Sequence, residues 1–448
     1  MMKIQLKIAG LMLITALITT LFNASGCTKR TPVEEISVAQ SGIEVAEAAV
    51  VSGDVGEQSF DWPQWRGLSG GVSGNKNVPT QWSAESNIRW QADVPGRGHS
   101  SPIVVGDLVV LGTATENPDQ QLVVAYDRND GQKRWSSIVH DGGFPTKRAV
   151  HMKATNANGT IASDGNALVT AHLNSDRIWV TAFDFDGNRL WQTDIGAFDS
   201  KFGYAPSPII YKSLVIVAAD NRGGGYLVGL DIASGQIAWR RSRGDASSYS
   251  SPSLVKLGGT DQIVITGNDR MASYQPATGD LIWETECIAE ATCGTVVAAA
   301  DRVFGSGGYP SEETVCLDQD GKLVWSQRTK IYEPSMVTDA ENLFGVTDSG
   351  IAYCWDVEDG TVLWKKRLGG NFSSSPVICD GNVYVADLSG NSYVFKASGE
   401  SYQLVSKNRL GDDCYASPAI ADDAIFFRIG FGEEAERTEK LFCIAEDG

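Results

Sequence analysis

Four histidines and eight cysteines are the residues of this 448-residue chain best suited to ligate a metal or act as nucleophiles. His99, His140, His151 and His172 show no His-Glu-x-x-His or related spacing, and no cysteine pair has zinc-site spacing. Cys287 and Cys293 lie close enough in sequence to form a disulfide in an exported protein, and the free-thiol alternative stays open. There is no nucleotide loop and no placeable Ser/His/Asp set, so no catalytic residue and no metal ligand is assigned. What remains is positional. His99, Tyr204, Tyr249, Tyr332, Phe372 and Tyr415 each stand just before a short β-rich run that recurs along the chain. Flat side chains at equivalent positions could line a ligand funnel, or they could simply plug an axis. Polar loop residues give a second set: Asn221 and Arg222, Asp269 and Arg270, and the long connection 136–153 with Phe144, Lys147 and Arg148 in an otherwise acidic chain. These are candidate partner contacts, with solvated turns as the alternative.

The elements that must position these residues are repeats. Residues 231–239, DIASGQIAW, return as 127–135, 184–191, 275–283, 318–325 and 356–364, each with Trp four residues after Gly. Self-similarity at roughly 40–50 residues indicates a propeller or solenoid. Each unit also has a hairpin near a Ser-Pro or equivalent landmark, a third strand leading into the Asp/Gly turn and a fourth opening on the Trp, which is a four-stranded antiparallel blade. Eight hairpins are present, but the last unit lacks its fourth strand. Residues 87–90 precede the first hairpin and end on Trp90, so they supply the missing strand and close the ring. The fold expected is an all-β, eight-bladed β-propeller. Trp90, Trp135, Trp191, Trp239, Trp283, Trp325 and Trp364 are its structural tryptophans, expected between neighbouring blades. Cys316, Cys354 and Cys443 fill a repeat position held elsewhere by Ala125, Ala182, Gly229 and Ser273, which marks a small buried slot.

A formal charge of −18 excludes nucleic acid as a partner, because phosphate binding needs a basic face. Lys3 and Lys7, an apolar run over 8–22 and Ala-Ser-Gly before Cys27 form a targeting segment too short to span a bilayer. The expected organisation is a signal peptide over 1–26, a flexible tether over 27–59 and a propeller over 60–448.

The repeat phrase, with Ala125/Asp127/Gly131/Trp135, Ala182/Asp184/Gly187/Trp191 and Gly229/Asp231/Gly235/Trp239, resembles the pyrroloquinoline-quinone (PQQ) repeat family. Ala-Ser-Gly-Cys27 is similar to a lipoprotein signal, which implies lipidation at Cys27 and an outer-membrane, periplasmic-side location. Within the family, the lipoprotein-like start and chain size most resemble the BamB-type assembly lipoproteins. That resemblance implies a monomeric, lipid-anchored, non-catalytic scaffold for an envelope protein partner, without a cofactor. The family also contains quinoprotein oxidoreductases of alcohols or sugars, which hold PQQ and Ca²⁺ in the funnel. The adjacent-cysteine disulfide of the alcohol-type enzymes has no counterpart here, and no Cys-x-x-Cys-His haem site is present. A third reading is a polysaccharide-binding module built on the aromatic ring.

Overall fold

The computed structural model describes residues 32–46, 62–288, 290–432 and 436–446. It is an eight-bladed propeller of antiparallel four-stranded blades, one of which carries an added fifth strand. Blade 1 runs from Ile103–Val105 to Lys133–Asp141, and blades 2 to 7 follow in chain order. Blade 8 is shared between the ends of the chain. Ile88–Val94 is its outer strand, paired antiparallel to Thr438–Ile444 with Ile88 opposite Ile444. The closure expected from the strand count is therefore present, and the ring has no free blade edge across its seam.

The repeat phrase has a physical reading. Asp127 Oδ1 accepts the Asn129 amide at 2.7 Å, Asp231 Oδ1 that of Ser234 at 2.8 Å, and Asp356 Oδ1 that of Glu358 at 2.7 Å. These side chains make Asx turns that hold the bend between third and fourth strands. The Trp then reaches into the next blade. Trp90 Nε1 donates to Arg128 O, Trp135 to Phe185 O, Trp191 to Ile232 O, Trp239 to Pro276 O, Trp325 to Val357 O and Trp364 to Ser398 O. The rings of Trp90, Trp135, Trp191, Trp239, Trp283 and Trp325 cover the turn glycines Gly131, Gly187, Gly235, Gly279, Gly321 and Gly360 of the following blades.

The small slot follows from register. Ala125, Ala182, Gly229, Ser273, Cys316, Cys354 and Cys443 are the strand partners of Trp135, Trp191, Trp239, Trp283, Trp325, Trp364 and Trp90. A large residue there would collide with the indole directly opposite. Cys316, Cys354 and Cys443 are fully buried.

The Ser-Pro landmark also gains a reason. Around the axis, one backbone N–H per blade donates to a hydroxyl of the next. Ser101 gives to Thr160, Thr160 to Ser207, Ser207 to Ser251, Thr295 to Ser335, Ser335 to Ser375, Ser375 to Ser417, and Ser417 back to Ser101, at 2.8–3.1 Å. The belt is closed at every step but the one from Ser251 to Thr295.

Two stretches outside the repeats pack on the propeller. Residues 32–46 fall inside the expected tether, yet they lie along the outer strand of blade 3. Ile36 exchanges both backbone hydrogen bonds with Arg240, and a short helix, Val38–Ser41, follows with Ser37 as its cap. Val33, Val38, Ile43 and Val45 pack on the cores of blades 2 to 4, so alternate apolar residues in a mostly polar segment are enough to dock it. Residues 62–75 cross the axis. Trp62 bridges Val104 of blade 1, Arg66 Nη2 donates to Met336 O of blade 6 at 2.6 Å, and Val72–Ser73 adds a parallel strand to the innermost strand of blade 7.

Candidate functional site

The crossing segment divides the axis into two cavities. The one at the start of the innermost strands is a funnel of about 260 Å³, floored by Trp65. His99, Tyr249, Tyr332 and Tyr415 are among its lining residues. Tyr204 and Phe372 are not. Tyr204 is buried between blades 2 and 3 with its hydroxyl on Ala218 O at 2.9 Å, and Phe372 is sealed in the core of blades 6 and 7 beside Tyr393. At those two stations the neighbouring residues Phe202 and Ser373 face the funnel instead. His99 lies flat on Tyr415, with ring centroids 4.2 Å apart and planes 3° from parallel. Burial, followed by the positive charges of Arg97, Arg428 and Arg437, pushes its pKa well below the usual imidazole range, so the ring is neutral.

The charged side chains lining the funnel are Lys153 and Glu333. Lys153 Nζ meets Glu333 Oε1 at 2.8 Å, Ser373 Oγ donates to the other carboxylate oxygen, and the Glu333 amide donates to Asp348 Oδ1 at 2.8 Å. Burial pushes the Asp348 carboxyl up from its ordinary value. Lys153 comes from the long connection between blades 1 and 2, while Glu333 comes from the connection between blades 5 and 6, so this pair spans the mouth. The basic connection therefore has two parts. Lys153 turns inward. Lys147 and Arg148 sit on an exposed single turn, Lys147–Ala149, and Met152 beside them is 87% exposed. The turn is held in place by Ser200 Oγ on Ala149 O at 2.7 Å and by the His151 amide on Phe202 O at 3.1 Å. Phe144 is half-buried.

The other loop candidates divide in the same way. Asn221 is 1% exposed, and its amide donates to Ala219 O and Gly224 O while accepting from the Gly223 amide. Its role is to shape its own loop, which removes it from the contact set. Arg222 is exposed and pairs with Asp199 at 2.8 Å. Arg270 pairs with Glu284 at 2.8 Å, next to exposed Asp269. Cys287 and Cys293 are free thiols. Cys287 packs on the core between blades 4 and 5 while Cys293 lines the funnel, so they occupy different environments; burial pushes both thiols up to about 12. Cys27 lies outside the described residues.

Two buried ion pairs were not legible in the sequence. Arg428 Nε meets Glu439 Oε2 at 2.6 Å with both side chains at most 2% exposed, and its Nη atoms reach Gly112 O and Thr113 Oγ1 of blade 1. Arg243 grips Asp220 through Nε and Nη2 at 2.8 and 3.0 Å and holds Tyr274 Oη at 3.0 Å. Each arginine also reaches the next blade, Arg428 to blade 1 and Arg243 to Tyr274 of blade 4.

PQQ is a tricarboxylate and needs cationic partners; its Ca²⁺ needs clustered oxygen ligands. The single funnel lysine is already neutralised by Glu333. Among the described residues no group of three His, Cys, Asp or Glu side chains could hold a metal ion. The donor set does not fit that cofactor pair.

Comparison with known proteins places this architecture. Over 205 residues the chain is 24% identical to outer membrane protein assembly factor BamB of Yersinia pestis. The match spans 44% of this chain and 46% of that protein, so it covers about half the relative's length. BamB from Moraxella catarrhalis shares the fold with a TM-score of 0.58 at 15% identity, over 82% of this chain and 100% of that one. So does a quinohaemoprotein alcohol dehydrogenase from Comamonas testosteroni, with a TM-score of 0.64 at 11% identity over 92% and 84% of the two chains. A europium-containing methanol dehydrogenase gives 0.59 at 12% identity over 83% and 90%. At these identities the structures establish the fold and do not choose between scaffold and enzyme. A family model described as outer membrane protein assembly factor BamB matches residues 72–149, 119–309 and 311–406, which is well over half the sequence, and the chain belongs to that family.

Proposed function

We propose that this protein is a lipid-anchored propeller of the cell envelope that binds a protein partner through the rim of its funnel face and catalyses no reaction. The observation that carries the reading is the turn Lys147–Ala149 with Met152. Two exposed cations and a fully presented apolar side chain sit together on a connection pinned to its neighbour, in a chain of net charge −18. A fixed apolar centre with a basic border fits an acidic protein surface. Family membership supports an assembly role, and the residues preceding Cys27 support lipidation there. The quinoprotein reading is disfavoured by the neutralised lysine.

A photo-crosslinking residue at Met152, in envelopes of the source cell, tests the proposal. One discrete protein adduct is expected, reduced at least several-fold by Lys147→Glu with Arg148→Glu. Adducts that are unchanged by that charge reversal, or that contain only lipid, would overturn it. Cys27→Ser is expected to abolish incorporation of labelled fatty acid and to release the protein from the membrane fraction.

A further inference from the structure

Lys147, Arg148 and Met152 of the rim do not line the funnel itself. We infer that the central funnel binds a neutral carbohydrate, one sugar ring or the end of a short chain, stacked on Trp65 and held by Lys153, Glu333 and Ser373.

The cavity is closed below by Trp65 and open above, and its volume of about 260 Å³ suits one or two hexose rings. Its walls are aromatic. Trp65 forms the floor, and Tyr249, Tyr332 and the flat His99–Tyr415 stack stand around it, with Phe202 at the rim. The C–H face of a pyranose packs well against such surfaces. On one side stands a compact triad of ammonium, carboxylate and hydroxyl, with Lys153 and Ser373 both on the Glu333 carboxylate, and belt residues such as Ser101, Ser207 and Thr295 add polar groups around the rest of the wall. Adjacent sugar hydroxyls each donate and accept. They can therefore insert into this triad with one oxygen facing the ammonium and the next donating to the carboxylate.

Charge separates this ligand from others of similar size. The Lys153–Glu333 pair sums to zero, so a phosphate or a polycarboxylate entering the funnel would find no unpaired lysine or arginine among the lining residues. A purely apolar ligand would bury the ion pair without replacing the water on it. The floor is fixed as well as flat: Trp65 Nε1 donates to Thr295 Oγ1 at 2.9 Å, so the indole is already oriented before a ligand arrives.

The full chain in detergent can be titrated with glucose, galactose, N-acetylglucosamine and their β-1,4-linked disaccharides. Tryptophan emission and saturation-transfer NMR would be followed. At least one sugar is expected to saturate below about 10 mM. Glu333→Gln and Lys153→Met should each weaken that sugar about tenfold, and Trp65→Ala should abolish binding while Trp65→Phe retains part of it. Lys153→Met alters a half-exposed side chain and keeps the test valid if a floor variant fails to fold. Three outcomes would overturn the inference: no sugar saturating, glucose 6-phosphate binding more tightly than glucose, or indole binding where no sugar does. The crosslink at Met152 is read separately, so the two proposals can fail independently.

Discussion

Trp65 Nε1 donates to Thr295 Oγ1 at 2.9 Å, at the one station where the hydroxyl belt around the axis is not linked to the preceding blade. Ser251 leaves that hydroxyl free, and the segment that crosses the channel takes it. The gap in the belt is thus the point at which the plug is fastened.

Thr295→Val should leave the indole N–H without its acceptor and destabilise the protein by about 1–3 kcal/mol. Thr295→Ser should be nearly neutral. Urea unfolding of both variants checks this, and equal midpoints would remove Thr295 as the fastening.

Glu439→Gln should cost about 3–5 kcal/mol, because it leaves the Arg428 guanidinium buried at the seam between blades 8 and 1 without its counterion. Replacing both residues with apolar side chains, Arg428→Met with Glu439→Leu, should recover part of that loss. The measurement is again equilibrium unfolding.

Gly279 and Gly381 have almost the same backbone, with φ of +71° and +68°. A Cβ at Gly381 meets nothing, while one at Gly279 falls inside the ring of Trp239. Gly381→Ala should therefore cost about 1–2 kcal/mol from conformation alone, and Gly279→Ala about 1–3 kcal/mol more from overlap. Thermal melts that ranked them equally would show that the Trp-on-turn contact does not hold neighbouring blades.

Acid should destabilise the contact between blades 1 and 2, where the His140 and His172 rings lie 6.5 Å apart. Burial lowers the His140 pKa to about 4, helped by Arg189, and that of His172 to about 3, helped by His140. Above the unfolded value of about 6.5 both states are neutral and stability is flat. As pH falls below it, the unfolded chain takes up protons that the folded chain refuses, so stability drops until the folded values are reached. His172→Gln should reduce the slope between about pH 6 and 4 by close to one proton, roughly 1.4 kcal/mol per pH unit. Melting temperatures recorded from pH 4 to 8 test it.

The ring was readable because its determinants are local and repeated. An Asp and a Gly fix each turn, and a Trp four residues later finds the next turn at the same offset. Even the closing strand announced itself through Trp90. The funnel was only partly readable. His99, Tyr249, Tyr332 and Tyr415 face inward, but at Tyr204 and Phe372 a shift of one or two residues sends the aromatic outward and brings in Phe202 and Ser373. Repeat alignment cannot resolve so small a shift in a loop. Lys153 and Glu333 are distant in sequence and meet only because two connections lean across the same mouth. Trp65 belongs to no repeat, and the sequence offered nothing to say which way its segment would run.

Blade 8 joins Ile88–Val94 to Thr438–Ile444, strands separated in sequence by all the other blades. A chain delivered N-terminus first must keep Ile88–Val94 waiting as an unpaired edge while all the intervening blades are made. The ring can lock only when the last strand arrives, so folding is dominated by its most distant contact and should be slow for its size. During that interval the protein is an open arc with one sticky end. Until the circle shuts, that edge is open to pairing with the wrong strand.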